Sequence, residues 1–266
     1  MQIIAVANQK GGCGKTTTAV NLAAAFAKLG YRTLLVDFDP QGHATLGLGF
    51  DPNSFQKTIY DAMVNGYVPI SAVAVRTSVS RLHLVPSNIL LAGVEWALRE
   101  TQGKELILGE QLRTLSNDYD VCFIDCSPSV GLLMLNVLVA SSHVIIPVQA
   151  HFYALDGLKR LLDTIRAMRD RFSPCLVSPL GLLLTFVEDR TKLSRRVESG
   201  MRQLFGSLVF RTVIHKTVAL AEAPSAGQSI LDYAPESKGS REYQTLAQEA
   251  ASRLQAPDII DAVMQE

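Results

Sequence analysis

With 266 residues, 48% apolar and 19% charged side chains, the chain has the proportions of a folded globular protein with a sizeable core, which excludes a disordered or fibrous one. Twenty-five Lys/Arg balance twenty-five Asp/Glu, and no apolar run approaches the roughly 18 residues of a membrane span. Cys13, Cys122, Cys126 and Cys175 lack metal-ligand spacing and Met1-Gln2-Ile3 opens a strand without a charged leader, so reduced thiols and a cytoplasmic location are expected.

The first predicted strand is the apolar run 3–7. It passes through Asn8-Gln9-Lys10-Gly11-Gly12-Cys13-Gly14-Lys15-Thr16-Thr17 into an Ala/Leu-rich helical pattern over 19–29. Residues 32–37 then form an apolar run without alternation, the mark of a buried parallel strand, and a glycine-containing loop continues to about Pro52. Further strands are predicted at 81–86, 120–125, 144–148, 180–184 and 209–214. Helices are predicted at 89–99, 105–115, 131–140, 154–172 and 192–205, with helical segments near Ala219 and over 242–254. Strands separated by helices of this length predict an α/β fold, a doubly wound and mostly parallel sheet flanked by helices, with ligands at the strands' C-terminal ends. Without a repeat, low-complexity tract or linker, one domain over 1–266 is expected.

A glycine-rich loop between strand and helix offers backbone N–H groups to phosphate at a helix N-terminus, where the macrodipole favours negative charge. In that setting Gly11, Gly12, Cys13 and Gly14 cradle phosphate, Lys15 reaches the β- and γ-phosphates, and the Thr16 hydroxyl ligands Mg²⁺. The strict G-x-x-x-x-G-K-[ST] pattern fails at Gln9, and a second lysine, Lys10, precedes the glycines. Asp37, Asp39 and Asp125 fall at the C-terminal ends of predicted strands, on the same sheet edge as the loop. All three are candidates to support the metal or to orient attacking water, and position alone does not apportion the roles. Charge is uneven along the chain: residues 151–216 hold twelve Lys/Arg against six Asp/Glu, which fits either solvated helix faces or a nucleic-acid footprint.

Taken together these motifs resemble the ParA-type partition ATPases of the deviant Walker A group, which also contains MinD and the nitrogenase iron protein. The resemblance is carried by the loop through Thr18, by Leu34-Leu35-Val36-Asp37-Phe38-Asp39-Pro40-Gln41-Gly42 with Ala44-Thr45, and by Leu84-Val85-Pro86-Ser87-Asn88. It continues through Ile124-Asp125-Cys126-Ser127-Pro128-Ser129, Tyr153-Ala154-Leu155-Asp156-Gly157-Leu158, Asp189-Arg190-Thr191 and Ala221-Glu222-Ala223-Pro224-Ser225. The family implies an ATP-sandwich homodimer in which Lys10 reaches the partner's phosphates, while Lys15 and the loop backbone bind ATP in cis. It further implies that Thr16 holds Mg²⁺, Thr17 meets the α-phosphate, Asp39 positions the hydrolytic water and Asp125 is the Walker B carboxylate. It also implies non-specific DNA binding by the ATP form, stimulation of hydrolysis by a ParB-like partner, and association with the nucleoid. Arg190 matches a DNA-contacting arginine of the family, and Lys192, Arg195, Arg196 and Lys216 extend that basic surface.

Several positions depart from the family pattern. His215-Lys216-Thr217-Val218-Ala219 stands where Pro-Arg-Asn-Val-Arg is usual, which puts His215 and Thr217 at the adenine and removes a DNA contact at Ala219. Ser127 replaces a proline, His151 a glutamate, His43 an asparagine and Cys13 an aliphatic residue. A MinD-like membrane ATPase would end in a basic amphipathic helix, whereas residues 257–266 are acidic. An iron–sulfur reductase would carry cysteine where Leu132 stands. The alternative kept open is a ParA relative that positions a non-DNA cargo, a protein compartment or receptor cluster, over the nucleoid.

Overall fold

A computed structural model describes residues 1–129, 131–150, 163, 165–167, 175–188 and 191–255. Seven strands form one sheet: β1 (Gln2–Val6), β2 (Thr33–Phe38), β3 (Val75–Arg76), β4 (Leu82–Val85), β5 (Val121–Cys126), β6 (His143–Gln149) and β7 (Ser178–Thr185). Their order is β3-β4-β2-β5-β1-β6-β7, and every pairing is parallel except β3 with β4. Both faces are covered, as a parallel sheet requires and as uniformly apolar strands predict. Along β2 and β5, Leu34, Val36, Phe38, Cys122 and Ile124 enter one core while Leu35, Val121 and Phe123 enter the other.

The helices are α1 (Lys15–Lys28), α2 (His43–Gly47), α3 (Ile59–Val64), α4 (Val94–Ala97), α5 (Ile107–Arg113), α6 (Leu132–Ala140), α7 (Lys192–Phe205), α8 (Val218–Glu222), α9 (Ile230–Tyr233) and α10 (Lys238–Gln255). On one face α1 and α10 pack together, with Ala19, Leu22, Ala23 and Phe26 against Tyr243, Leu246, Ala247 and Ala250. The opposite face carries Ile59, Leu108, Leu112, Val137 and Leu138 from α3, α5 and α6. Helix α7 turns Ser194 and Met201 inward with Val197 and Phe205, a spacing of three and four that leaves Lys192, Arg195 and Arg196 in solvent.

The doubly wound, mostly parallel arrangement agrees with the sequence expectation, and three details correct it. Residues 209–214 are not a strand. The segment lies beside β7 but makes only isolated bridges, Leu182 with Val209 and Val187 with His215. The Phe210 and Ile214 amides reach β7 carbonyls (both 2.9 Å), but side chains take groups that a continuous ladder would need: Glu249 accepts from the Arg211 and Thr212 amides (2.8 and 3.0 Å), and Arg253 and Arg202 donate to the carbonyls of 208–211. Those captures leave no ladder to form. The helix expected over 89–99 divides into a 3₁₀ turn at Ile89–Gly93 and α4, because Asn88 caps the Leu90 amide and starts a tighter turn. Finally, the loop to Pro52 holds the five-residue α2, and β3 is too short to leave a periodic signal. The helix expected over 154–172 and the acidic end 257–266 lie almost wholly outside the described residues, as does His151.

Candidate active site

The register of the central strands assembles the site. Val6 of β1 and Asp37 of β2 both pair with Asp125 of β5, so the loop after β1 and two carboxylates leave the sheet at one level. Asn8 fixes the loop's entry. Its amide donates to the Pro147 carbonyl (2.7 Å), and its carbonyl oxygen accepts from the Lys10 amide (3.0 Å). Gly12 (φ 72°) and Gly14 (φ 86°) are left-handed, a conformation that costs glycine little, and Gly14 sets the N-terminus of α1.

The two lysines of the loop differ in placement. Lys15 is buried at 7% exposure and its Nζ donates to the Lys10 carbonyl (3.2 Å), which folds the side chain back along the loop. Lys10 is exposed, and its side chain has no hydrogen bond or ion pair among the described residues. Cys13 is buried, with its thiol donating to the Lys10 carbonyl (3.2 Å). Burial pushes that thiol's pKa up despite the nearby Lys15 charge, so it is a poor nucleophile.

The carboxylates divide by partner. Asp37 accepts from the Thr45 amide (2.8 Å), the Thr45 hydroxyl (2.7 Å) and the Asp39 amide (3.3 Å), which ties β2 to α2. Burial raises its pKa to about 6, against the pull of the Thr45 bonds. Asp125 is fully buried, and both of its oxygens lack a hydrogen-bond partner. Burial drives its pKa up and the Asp37 charge adds to the rise. Thr16 and Lys15 pull the other way, although neither makes a hydrogen bond of good geometry to it. Asp39 accepts from the Gln41 amide (3.0 Å) and looks into a cleft of ≈ 820 Å³. That cleft is also lined by Gly11, Gly12, Lys15, Thr16, Thr17, His43 and Ser127–Ser129. A cleft lined by a glycine loop at a helix N-terminus, a lysine and two threonines has donors for a polyphosphate, and the partnerless Asp125 buried next to Lys15 and Thr16 is an acceptor for a hard cation.

A second cleft of ≈ 1260 Å³ adjoins the first across Thr17 and Phe186, and His215, Lys216 and Thr217 line it. His215 is held by Glu242, whose carboxylate accepts from its amide (2.9 Å) and lies 2.6 Å from Nδ1. Lys216 faces Glu188 at 3.4 Å, while Lys192, Arg195 and Arg196 are exposed along α7. Arg190 lies outside the described residues. The structure therefore brings Lys15, Thr16, Thr17 and Asp39 to one cleft, leaves Lys10 exposed on the loop and Asp125 buried behind the cleft lining, sets His215 and Thr217 in the neighbouring cleft, and gives Asp37 a bracing position beside Asp125. The sequence reading missed Thr185 and Phe186. The Thr185 hydroxyl donates to the Cys13 carbonyl (2.8 Å) and the Phe186 ring packs on Gly14. Their place at and just beyond the C-terminal end of β7, on the sheet edge that carries the carboxylates, was the signal available.

The family model described as "AAA domain" matches residues 1–177. The chain is 44% identical over 251 residues to the sporulation initiation inhibitor protein Soj of Bacillus subtilis, a match covering 94% of this chain and 98% of that one. It is 42% identical over 252 residues to the chromosome partitioning protein ParA of Myxococcus xanthus, covering 95% and 88%. Among solved structures, cobyrinic acid a,c-diamide synthase from Mycobacterium smegmatis, with bound ATP analog and magnesium, is similar at 36% identity and a TM-score of 0.84 over 96% of both chains. Identity above 40% sustained almost end to end marks common descent of the whole molecule and not of its glycine loop alone: the chain belongs to the ParA family of partition ATPases.

Proposed function

We propose that this chain is an ATP-dependent partition ATPase that alternates between a monomer and an ATP-sandwich homodimer. The observation that carries the reading is the opposed placement of the two loop lysines: Lys15 is buried toward its own cleft, and Lys10 is exposed and free to serve another copy. Lys15 and the loop amides hold the triphosphate in cis, with Thr17 at the α-phosphate. The orphaned oxygens of Asp125 fit a site for Mg²⁺ beside the Thr16 hydroxyl. Mg²⁺ held there would neutralise phosphate charge. Asp39 orients the attacking water from the cleft wall, and Asp37 holds the Asp39 amide and α2 in register through Thr45. His215 and Thr217 border the base in the adjoining cleft. Catalysis by positioning alone gives slow turnover, suited to a timer that an activator resets.

The ATP-bound dimer binds DNA without sequence preference through Arg190, Lys192, Arg195, Arg196 and Lys216. A ParB-like partner stimulates hydrolysis and links the cycle to segregation of a chromosome or plasmid. Cytoplasmic, nucleoid-associated residence follows from that role, and no helix among the described residues is long and apolar enough to cross a membrane. The test is sedimentation of the Asp39→Ala chain with ATP·Mg²⁺. A dimer is expected, and adding Lys10→Ala should return it to a monomer with nucleotide still bound. An Asp39→Ala chain that stays monomeric at saturating ATP overturns the sandwich, and Lys15→Ala with undiminished ATP binding overturns the loop assignment.

A further inference from the structure

Phe186 occupies a conformation that its side chain disfavours. It is one of two residues other than glycine among those described with positive φ (52°), it has no polar side chain to compensate locally, and it stands directly beyond β7. Strain of that kind persists only where neighbours over-determine it, and such positions cluster at functional sites. Here the neighbours are identifiable. On the N-terminal side, the Thr185 hydroxyl is bonded to the Cys13 carbonyl inside the glycine loop (2.8 Å). On the C-terminal side, Val187 is locked to 214–216 by its amide on the Ile214 carbonyl (3.1 Å) and its carbonyl on the Lys216 amide (3.2 Å). Between two fixed points the chain must turn sharply, and the turn drives the aromatic ring toward the loop. A Cβ built on Gly14 would lie 3.3 Å from Cζ and 3.4 Å from Cε2 of that ring. Half-buried, Phe186 lines both clefts and forms, with Thr17, the wall between them.

We propose that Phe186 is a positioning residue of the phosphate loop: its ring, held in the strained turn after β7, braces Gly14 and so keeps the loop amides aimed into the cleft before the triphosphate arrives. The proposal rests on the cleft being the triphosphate site, and it is independent of DNA, dimer or partner. Gly14 alone is conformationally permissive, so without a brace the loop would sample shapes that do not converge on an anion, and binding would bear the ordering entropy. Thr185 supplies the companion restraint from the same strand end by fixing the Cys13 carbonyl away from the cleft. The ring sits beside the loop and not among the groups that orient water, so the brace acts on affinity and leaves the hydrolytic step alone.

The experiment separates bracing from a role in the fold. Asparagine tolerates the left-handed conformation, so Phe186→Asn relieves the strain while removing the ring. Phe186→Leu keeps apolar bulk against Gly14. Affinity for a fluorescent ATP analogue, turnover at saturating ATP and the thermal midpoint are measured for both variants and for wild type. The expected result for Phe186→Asn is a Kd at least tenfold higher, turnover at saturation within threefold of wild type and an unchanged or higher Tm. Phe186→Leu should recover the Kd to within about threefold. A Kd within twofold of wild type for Phe186→Asn overturns the brace, as does a loss of turnover without a change in Kd. If Phe186→Asn does not fold, Phe186→Gly and Thr185→Val decide: each should raise Kd at least fivefold with turnover kept while Phe186→Leu stays within about threefold of wild type, and wild-type affinities for both Phe186→Gly and Thr185→Val overturn the proposal. A wild-type chain that binds the analogue while Phe186→Asn matches it refutes only the brace. A wild-type chain that binds no triphosphate refutes the site itself and the brace with it.

Discussion

Asp37 and Asp125 are register partners with similar burial and opposite surroundings, and the difference assigns them different work. Three hydrogen bonds occupy Asp37, which makes it a bracket between β2 and α2. Asp125 has none, and a buried carboxylate without partners is destabilising until something of opposite charge arrives. Asp125→Asn should therefore raise the thermal midpoint of the ligand-free chain at pH 8, where removal of about 1 kcal/mol of unfavourable burial is worth roughly 2–4 °C. The same change should lower Mg²⁺-dependent turnover by two orders of magnitude or more, on the scale of losing one preorganised electrostatic group. Calorimetry and a phosphate-release assay check the two arms, and an unchanged midpoint with unchanged turnover removes Asp125 from the site.

At the level of elements, α10 does more than cover the sheet. Its buried face packs on α1, and three half-buried side chains along its flank, Glu242, Glu249 and Arg253, hold the backbone of 208–215. Arg253 also lies over the Phe210 ring at 4.1 Å, a cation–π contact that keeps the guanidinium in place. Burial alone would raise the Glu249 pKa, but the hydrogen bonds from Arg211 and Thr212 and the Arg253 charge more than reverse it, and the pKa is lowered. A carboxyl depressed in the folded state contributes stability above its ordinary value near 4.5, and that contribution disappears as pH falls through and below it. Glu249→Gln should lower stability by about 1–3 kcal/mol at pH 7, because one amide oxygen cannot serve every donor now on the carboxylate. The gap to wild type should close below about pH 4, and urea titrations at the two pH values read it. A gap independent of pH would mean that the charge of Glu249 is not what holds the segment.

The same segment shows where sequence reasoning stops. Val209–Ile214 has the apolar β-branched content of a strand, and nothing local reveals that residues 27 to 45 positions away will claim amides and carbonyls in and beside it. By contrast the α7 pattern gives its bounds, 192 to 205, because inward residues three and four apart are a property of the helix itself. The loop and the strand-end carboxylates were legible for a related reason: their chemistry depends on spacing and on which sheet edge they share. Phe186 was not, because its importance lies in a backbone angle and a contact to Gly14 across 172 positions of chain.

The whole molecule is electrically neutral, so any attraction to nucleic acid must come from how charge is arranged. Helix α7 presents Lys192, Arg195 and Arg196 to solvent, and Lys216 is already paired with Glu188. Association with DNA in the presence of ATP should accordingly weaken steeply with salt, by about 0.9 in the logarithmic slope for each phosphate contact made. Replacing Lys192, Arg195 and Arg196 with alanine should reduce that slope by two to three and leave ATP binding as it is. Filter binding across a salt series measures it, and an unaltered slope would move the DNA surface elsewhere.

The margins of the sheet carry a last implication. On one side it closes with a strand of two residues, and on the other β7 is flanked by a ribbon whose hydrogen-bonding groups are already engaged by arginine and glutamate. Among the described residues, neither border offers a run of vacant amides that could recruit a foreign strand. Self-assembly by edge growth, which no metabolite can easily reverse, is thereby discouraged. On the proposed reading, copies of this chain meet through side chains, where a small molecule both licenses the encounter and ends it.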